Sequence, residues 1–209
     1  YNVWFGPPDP AAQQVHPQQR MEALVAAIVE EPPLRSSSSS TTSPPPKIWC
    51  MGFQELTRTL QAYLEPALAN IGYQLVVQRA VEQGAYGVGL ALPMTTTTTY
   101  SRPQFLPFRT TTMQRGMLYV HTDHVIFGTC HLESYTGKNA DGARQREDQI
   151  LEATQFLRAK LHTIPTLQVA ILAGDFNWDD EITTKTGRSK TPPANTNLLA
   201  LINRSSNRN

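Results

Sequence analysis

Apolar positions recur along the chain in two rhythms. The helical one is clearest in "PQQRMEALVAAIVEE" (17–31), where Met21, Leu24, Val25, Ile28 and Val29 fall at i, i+3, i+4, i+7 and i+8 and Pro17 suits a first helical position. It returns in "ELTRTLQAYLEPALANIG" (55–72), with Leu56, Leu60, Tyr63 and Leu64 turned inward, Pro66 marking a kink or break, and Gly72 near the C-cap. From about Ala143 to Leu161 the same spacing puts Ile150, Leu157 and Leu161 on one side of a third helix. The other rhythm is that of strands. "YNVWF" (1–5), "KIWCMGF" (47–53), "YQLVVQR" (73–79), "YGVGLAL" (86–92) and "LQVAILAG" (167–174) are short apolar or alternating runs. "MLYVHTDHVIFGTCHL" (117–132) predicts two strands joined by a tight turn at Thr122 and Asp123. Strands recurring between helices, some directly adjacent as hairpins, predict a mixed α/β sandwich rather than a purely parallel sheet.

Two stretches break both rhythms. "PPLRSSSSSTTSPPP" (32–46) cannot bury apolar area and is expected to be a disordered insertion. "TTTTTYSRPQFLPFRTTT" (95–112) is expected to be an extended surface loop. A chain of 209 residues with 40% hydrophobic content has enough apolar material for one core, so one domain is expected. A formal net charge of +1 means that any charged partner must be recognised locally rather than by a bulk field. After Glu181 the charged residues are all basic, Lys185, Arg188, Lys190, Arg204 and Arg208, which predicts a solvated basic tail over 182–209. Cys50 and Cys130 lie inside apolar runs rather than in a spaced framework, favouring reduced thiols and an intracellular setting. No apolar run approaches the length of a membrane helix.

Chemistry concentrates where the strands end. Asn2, Glu55, His131, and Asp175 with Asn177 each sit at or just beyond a strand-like run. Each alone has an ordinary reading: Asn2 as a strand terminus, Glu55 as a helix cap, His131 as a hydrogen-bonded core histidine, Asp175 as turn chemistry. Their recurrence at strand mouths is the informative feature, because a buried strand gains no stability from ending in a charge. Together they offer carboxylate and amide oxygens suited to a hard cation such as Mg²⁺, with a histidine and an asparagine able to contact phosphate. No cluster has zinc spacing, and neither a GxSxG elbow nor a phosphate-binding glycine loop occurs.

In order, "YNVWF", "RMEALVAAIVE", "WCMGFQELT", "HLES" and "GDFNWDD" resemble the motifs of the endonuclease/exonuclease/phosphatase superfamily of metal-dependent phosphodiesterases. Within it, "HLES", "FQELT" and "WDD" are most similar to the 5'-tyrosyl-DNA phosphodiesterase branch. The resemblance implies a deoxyribonuclease I-like fold, an α/β (α+β) mixed-sheet β-sandwich flanked by helices, over residues 1–181, with the two inserts at 32–46 and 95–112. It implies Asn2 and Glu55 as Mg²⁺ ligands, with Mn²⁺ as an alternative. It further implies His131 against the scissile phosphate with Ser134 nearby, Asp175 orienting or deprotonating the attacking water, and Asn177 holding a phosphate oxygen. Arg115 is expected at the rim to meet substrate phosphate, whereas Arg144 and Arg146 are expected on the solvated face of their helix.

The expected activity is Mg²⁺-dependent hydrolysis of phosphodiester bonds at DNA ends, including 5'-phosphotyrosyl ends. The expected partners are DNA ends or protein–DNA adducts, with no membrane, and the protein is expected to act as a monomer in the nucleus or cytoplasm. The alternatives are another substrate on the same fold (RNA, a phosphoinositide or sphingomyelin) and a catalytically impaired truncated homologue. Two departures from the family pattern stand out. Trp4 occupies a position where many members carry aspartate, and no Ser-Asp-His motif follows Glu181, so the domain is expected to be C-terminally incomplete.

Overall fold

A computed structural model describes residues 17–30, 50–94, 99–134 and 141–177. The first strand-like run with Asn2, the insert at 32–46 and everything after Asn177 lie outside the described residues. Two sheets face each other. The first is antiparallel, β1 (Met51–Leu56), β2 (Tyr73–Val77) and β3 (Gly87–Pro93), in the order β1-β3-β2. The second is β4 (Gln104–Pro107), β5 (Gly116–His121), β6 (Val125–His131) and β7 (Val169–Asp175), in that spatial order, with β6 and β7 parallel and the other pairs antiparallel. The expected mixed-sheet sandwich with helices on its outer faces is what the chain adopts.

Alternation along each strand sorts the core into three layers. Val88, Leu90 and Leu92 of β3 meet Leu118, Val120 and Phe127 between the sheets. On the outer face of the first sheet, Met51, Phe53, Leu75 and Ala91 are covered by Leu60, Leu64 and Leu68 of α2 (Arg58–Asn70), and α1 (Pro17–Glu30) adds Leu24 and Val25. On the outer face of the second sheet, Met117, Tyr119, Ile126 and Cys130 are covered by Ile150, Ala153 and Leu157 of α4 (Asp141–Thr163). Each fully buried leucine in these layers contributes roughly 1.5–3 kcal/mol of transfer free energy. A four-residue helix, α3 (Arg79–Glu82), links β2 to β3.

Local details follow from local chemistry. α2 starts at Thr57, whose hydroxyl accepts from Leu60 N at 3.3 Å, so Glu55 is not the cap. The helix runs on through Pro66 instead of breaking there, because Leu64 and Leu68 on either side of it are fully buried. Gly72, with φ of 84°, closes the turn that follows the helix.

The expected surface loop at 95–112 needs correction. It contains β4, an edge strand paired in register with β5 from Gln104 opposite Tyr119 to Pro107 opposite Gly116. Pro107 is tolerated there because an edge strand leaves one side of its backbone without ladder bonds. Neither cysteine forms a disulfide: Cys130 is buried and Cys50 half-buried, with burial pushing the Cys50 thiol up to about 12. No helix among the described residues is long and apolar enough to cross a membrane.

Candidate active site

β6 and β7 run parallel, so their carboxyl ends lie at the same edge of the sandwich, and their register places His131 opposite Asp175. The connection is sealed by Leu132 N donating to Asp175 O at 2.9 Å. β1 packs against β6 from the facing sheet and brings Glu55 to the same edge. Strict alternation would turn Glu55 outward with Phe53, toward α2. Instead the register shifts between Phe53 and Leu56, Glu55 takes φ of 59°, and Leu56 fills the helix-covered side. This bulge puts Glu55 Oε1 3.6 Å from His131 Nε2, with Asp175 Oδ2 4.0 Å from the same nitrogen.

His131 is 2% exposed and meets Arg115 on its other side: Arg115 Nη1 lies 2.6 Å from His131 Nδ1. A guanidinium only donates, so Nδ1 accepts and the imidazole proton belongs on Nε2. Burial, with the Arg115 charge second, lowers the His131 pKa to about 4, so the ring is neutral at physiological pH. Its contacts with Glu55 and Asp175 are therefore not ion pairs. His131 Nε2 is buried and has no hydrogen-bond partner among the described residues, as a donor held for an incoming oxygen would be.

Arg115 sits just before β5, 5% exposed, and its Nη2 also donates to Ser134 Oγ at 3.0 Å. Its guanidinium carbon lies 5.0 Å from the centre of the Tyr86 ring. Asn177 takes φ of 47°; its backbone N–H donates to Asp175 Oδ1 at 2.9 Å, and its side chain donates to Leu132 O at 2.9 Å and to Ser134 Oγ at 3.4 Å. The turn after β7 thus fixes Asp175 and Asn177 as a unit. A cleft beside the cluster is lined by Gln78, Tyr86, Met113, Gln114, Arg115 and His131.

Of the residues singled out in the sequence, the structure brings together Glu55, Arg115, His131, Ser134, Asp175 and Asn177; Asn2 lies outside the described residues. Arg146 is a correction. It is 3% exposed rather than solvated, and its Nη1 donates to Glu133 O at 3.2 Å, whereas Arg144 is exposed. Sequence reasoning missed Tyr86 and Glu133, although the glutamate of "HLES" stood in plain view between two residues already chosen.

The donor set suits a hard cation. No group of three or more His, Cys, Asp or Glu side chains among the described residues is arranged to hold a metal ion. Glu55 could offer one carboxylate to a hard cation whose other ligands were water and phosphate oxygens.

This two-sheet sandwich is a fold shared with solved structures at low sequence identity. The particular likeness is to TDP2. Over 87% of this chain, the TDP2 structure from Caenorhabditis elegans superposes with a TM-score of 0.61 at 16% identity. Humanized D. rerio TDP2 gives 0.57 over 86% of the chain at 20% identity, and D. rerio TDP2 complexed with single strand DNA product gives 0.54 over 77% at 21% identity. The chain spans about half the length of these proteins, covering 47%, 61% and 54% of them respectively. No protein-family model and no curated protein sequence matches it. The likeness to these structures is one of fold.

Proposed function

We propose that this chain carries the catalytic site of a Mg²⁺-dependent phosphodiesterase that hydrolyses phosphodiester bonds at DNA ends, including 5'-phosphotyrosyl ends. The observation that carries the reading is the buried N–H of a neutral His131, 3.6 Å from Glu55 and 4.0 Å from Asp175, with its opposite face anchored by Arg115. A neutral imidazole donor aimed at a rim that also bears carboxylates fits a phosphoryl oxygen, which needs donors on its non-bridging positions.

In this reading Asp175 orients the attacking water and takes its proton, while His131 Nε2 donates to a non-bridging oxygen. Asn177 and the Arg115–Ser134 pair supply further donors that hold the phosphate in line for attack. The water oxygen forms a bond to phosphorus, the ester oxygen leaves with the electron pair of the broken bond, and it is protonated as the free hydroxyl or phenol. Glu55, together with Asn2, would hold Mg²⁺, which when bound neutralises charge on the non-bridging oxygens. The DNA substrate class draws support from the D. rerio structure, which holds a single strand DNA product. The free Cys50 and Cys130 of this chain suit an intracellular protein, in the nucleus or cytoplasm, and we take it to act as a monomer.

The test is tyrosine release from a 5'-phosphotyrosyl oligonucleotide with Mg²⁺, alongside a chelator control and the variants Asp175→Asn and His131→Ala. Metal-dependent release that falls at least about 100-fold in either variant is expected. Equal release by wild type and Asp175→Asn, or release unaffected by chelation, would overturn the assignment.

A further inference from the structure

Glu133 is a carboxylate buried to 2% exposure two residues beyond His131, and the reaction outlined above does not use it. Both of its oxygens are occupied. Oε2 accepts from Thr111 Oγ1 at 2.9 Å and from Gln149 Nε2 at 3.2 Å. Oε1 accepts from Thr112 N at 3.3 Å and from the Thr112 hydroxyl. α4 braces the same residue from behind: Glu133 N donates to Gln149 Oε1 at 2.8 Å, and Gln149 Nε2 also reaches Thr110 O at 2.6 Å.

The next link is Thr111. A hydroxyl has one proton and two lone pairs. Thr111 gives its proton to Glu133, and its oxygen accepts from Met113 N at 3.2 Å and from Arg115 N at 2.9 Å. The acceptor-only carboxylate therefore sets the direction of the hydroxyl, and the hydroxyl holds the backbone of Arg115. The Arg115 guanidinium in turn fixes the His131 tautomer and meets Ser134.

We propose that Glu133 is a positioning residue that acts through Thr111 to place Arg115 at the phosphate site. The inference rests on reading Arg115 as a phosphate contact. Glu133→Gln is a sharp probe, because an amide nitrogen in place of Oε1 faces Thr112 N, and in place of Oε2 faces Gln149 Nε2. In either orientation two donors meet. Thr111→Val removes the relay, and Thr111→Ser retains it.

The experiment measures inorganic phosphate affinity by calorimetry in wild type, Glu133→Gln, Thr111→Val, Thr111→Ser, Arg115→Ala and the Glu133→Gln/Arg115→Ala double variant, with each melting temperature recorded. Glu133→Gln and Thr111→Val should weaken phosphate binding roughly tenfold, Thr111→Ser should restore it, and the double variant should bind no more weakly than Arg115→Ala alone. Unchanged affinity in Glu133→Gln, absence of phosphate binding in wild type, or an equal loss with and without Arg115 would overturn the proposal. Phosphate binding that follows this pattern in a protein that hydrolyses no diester would sustain it while removing the proposed reaction.

Discussion

Gln54 Nε2 donates to Thr129 Oγ1 at 2.9 Å across the interior of the sandwich, joining the strand that carries Glu55 to the strand that carries His131. Gln54 is 2% exposed and Thr129 fully buried, so neither group has water as a substitute partner. The bond also fits its surroundings. A Cβ on Gly52 would lie 2.4 Å from Thr129 Oγ1, so only glycine lets the sheets approach this closely here. Thr129→Val strands a buried amide and is expected to cost about 1–3 kcal/mol in urea unfolding. Gln54→Met added to Thr129→Val removes the stranded donor and should recover most of that loss. If the double variant is no more stable than Thr129→Val, the bond is not the source of the cost.

Backbone strain at Glu55 separates function from stability. A non-glycine residue at φ of 59° costs about 1 kcal/mol or more, and it is this conformation that swings the carboxylate from the α2 side to the rim. Glu55→Gly and Glu55→Ala both delete the carboxylate, yet only glycine relieves the strain. Glu55→Gly should therefore be about 1 kcal/mol more stable than Glu55→Ala, with both variants losing the proposed Mg²⁺-dependent hydrolysis to the same extent. Equal stability of the two variants in chemical denaturation would show that the bulge is not strained.

What was legible in the sequence, and what was not, divides along physical lines. The helices and central strands were readable because burying one face imposes a period, as in Leu60, Leu64 and Leu68 or in the run from Met117 to Leu132. Glu55, His131, Asp175 and Asn177 were readable because polar groups at strand mouths contradict that period. β4 was hidden: four residues with a proline, flanked by threonines, carry too little pattern, and its pairing with β5 is set by a distant partner. Arg146 was hidden for a related reason. Its helix carries charges at several nearby positions, and the main-chain carbonyl of Glu133 that accepts from this one arginine lies thirteen residues away, beyond the reach of any helical spacing rule. The His131–Arg115 contact likewise joins residues sixteen apart through a turn that no spacing rule encodes.

The depressed His131 pKa gives stability a pH dependence of defined sign. Unfolded histidine titrates near 6.5, whereas in the folded chain burial and Arg115 hold the value near 4. Between these values the unfolded chain binds a proton that the native site refuses, so unfolding free energy falls as pH drops from about 6.5 to 4 and is insensitive to this group above about 7. The loss attributable to His131 should be on the order of 1–3 kcal/mol, measured by denaturation in a chelator so that no metal intervenes. Glu133 acts in a separate window. Burial raises its pKa, but bonds from Thr112, Thr111 and Gln149 outweigh that effect and hold it below the usual value, so its contribution is lost only as pH falls through that lowered value. His131→Asn should flatten the slope between pH 4 and 6.5 and leave the more acidic limb in place. An unchanged slope would mean that another group titrates there.

Gly174 explains why the residue before Asp175 has no side chain. It pairs with Cys130 in the parallel register, adopts φ of 150°, and a Cβ placed on it would lie 1.9 Å from Cys130 O. Backbone cannot yield as a flexible side chain can, so Gly174→Ala must push β7 away from β6 at the very step where Asp175 is set opposite His131. Gly72→Ala provides the comparison. Its φ of 84° carries similar backbone strain, but nothing lies within 4 Å of the added carbon, so it tests conformation without collision. Gly174→Ala is expected to destabilise by at least about 3 kcal/mol and to abolish the proposed hydrolysis, against about 1 kcal/mol and near-normal hydrolysis for Gly72→Ala. Melting curves and diester turnover on the same samples decide it. A Gly174→Ala protein that melts with Gly72→Ala and still turns over would show that the junction of β6 and β7 tolerates the separation, and that the placement of Asp175 against His131 does not depend on it.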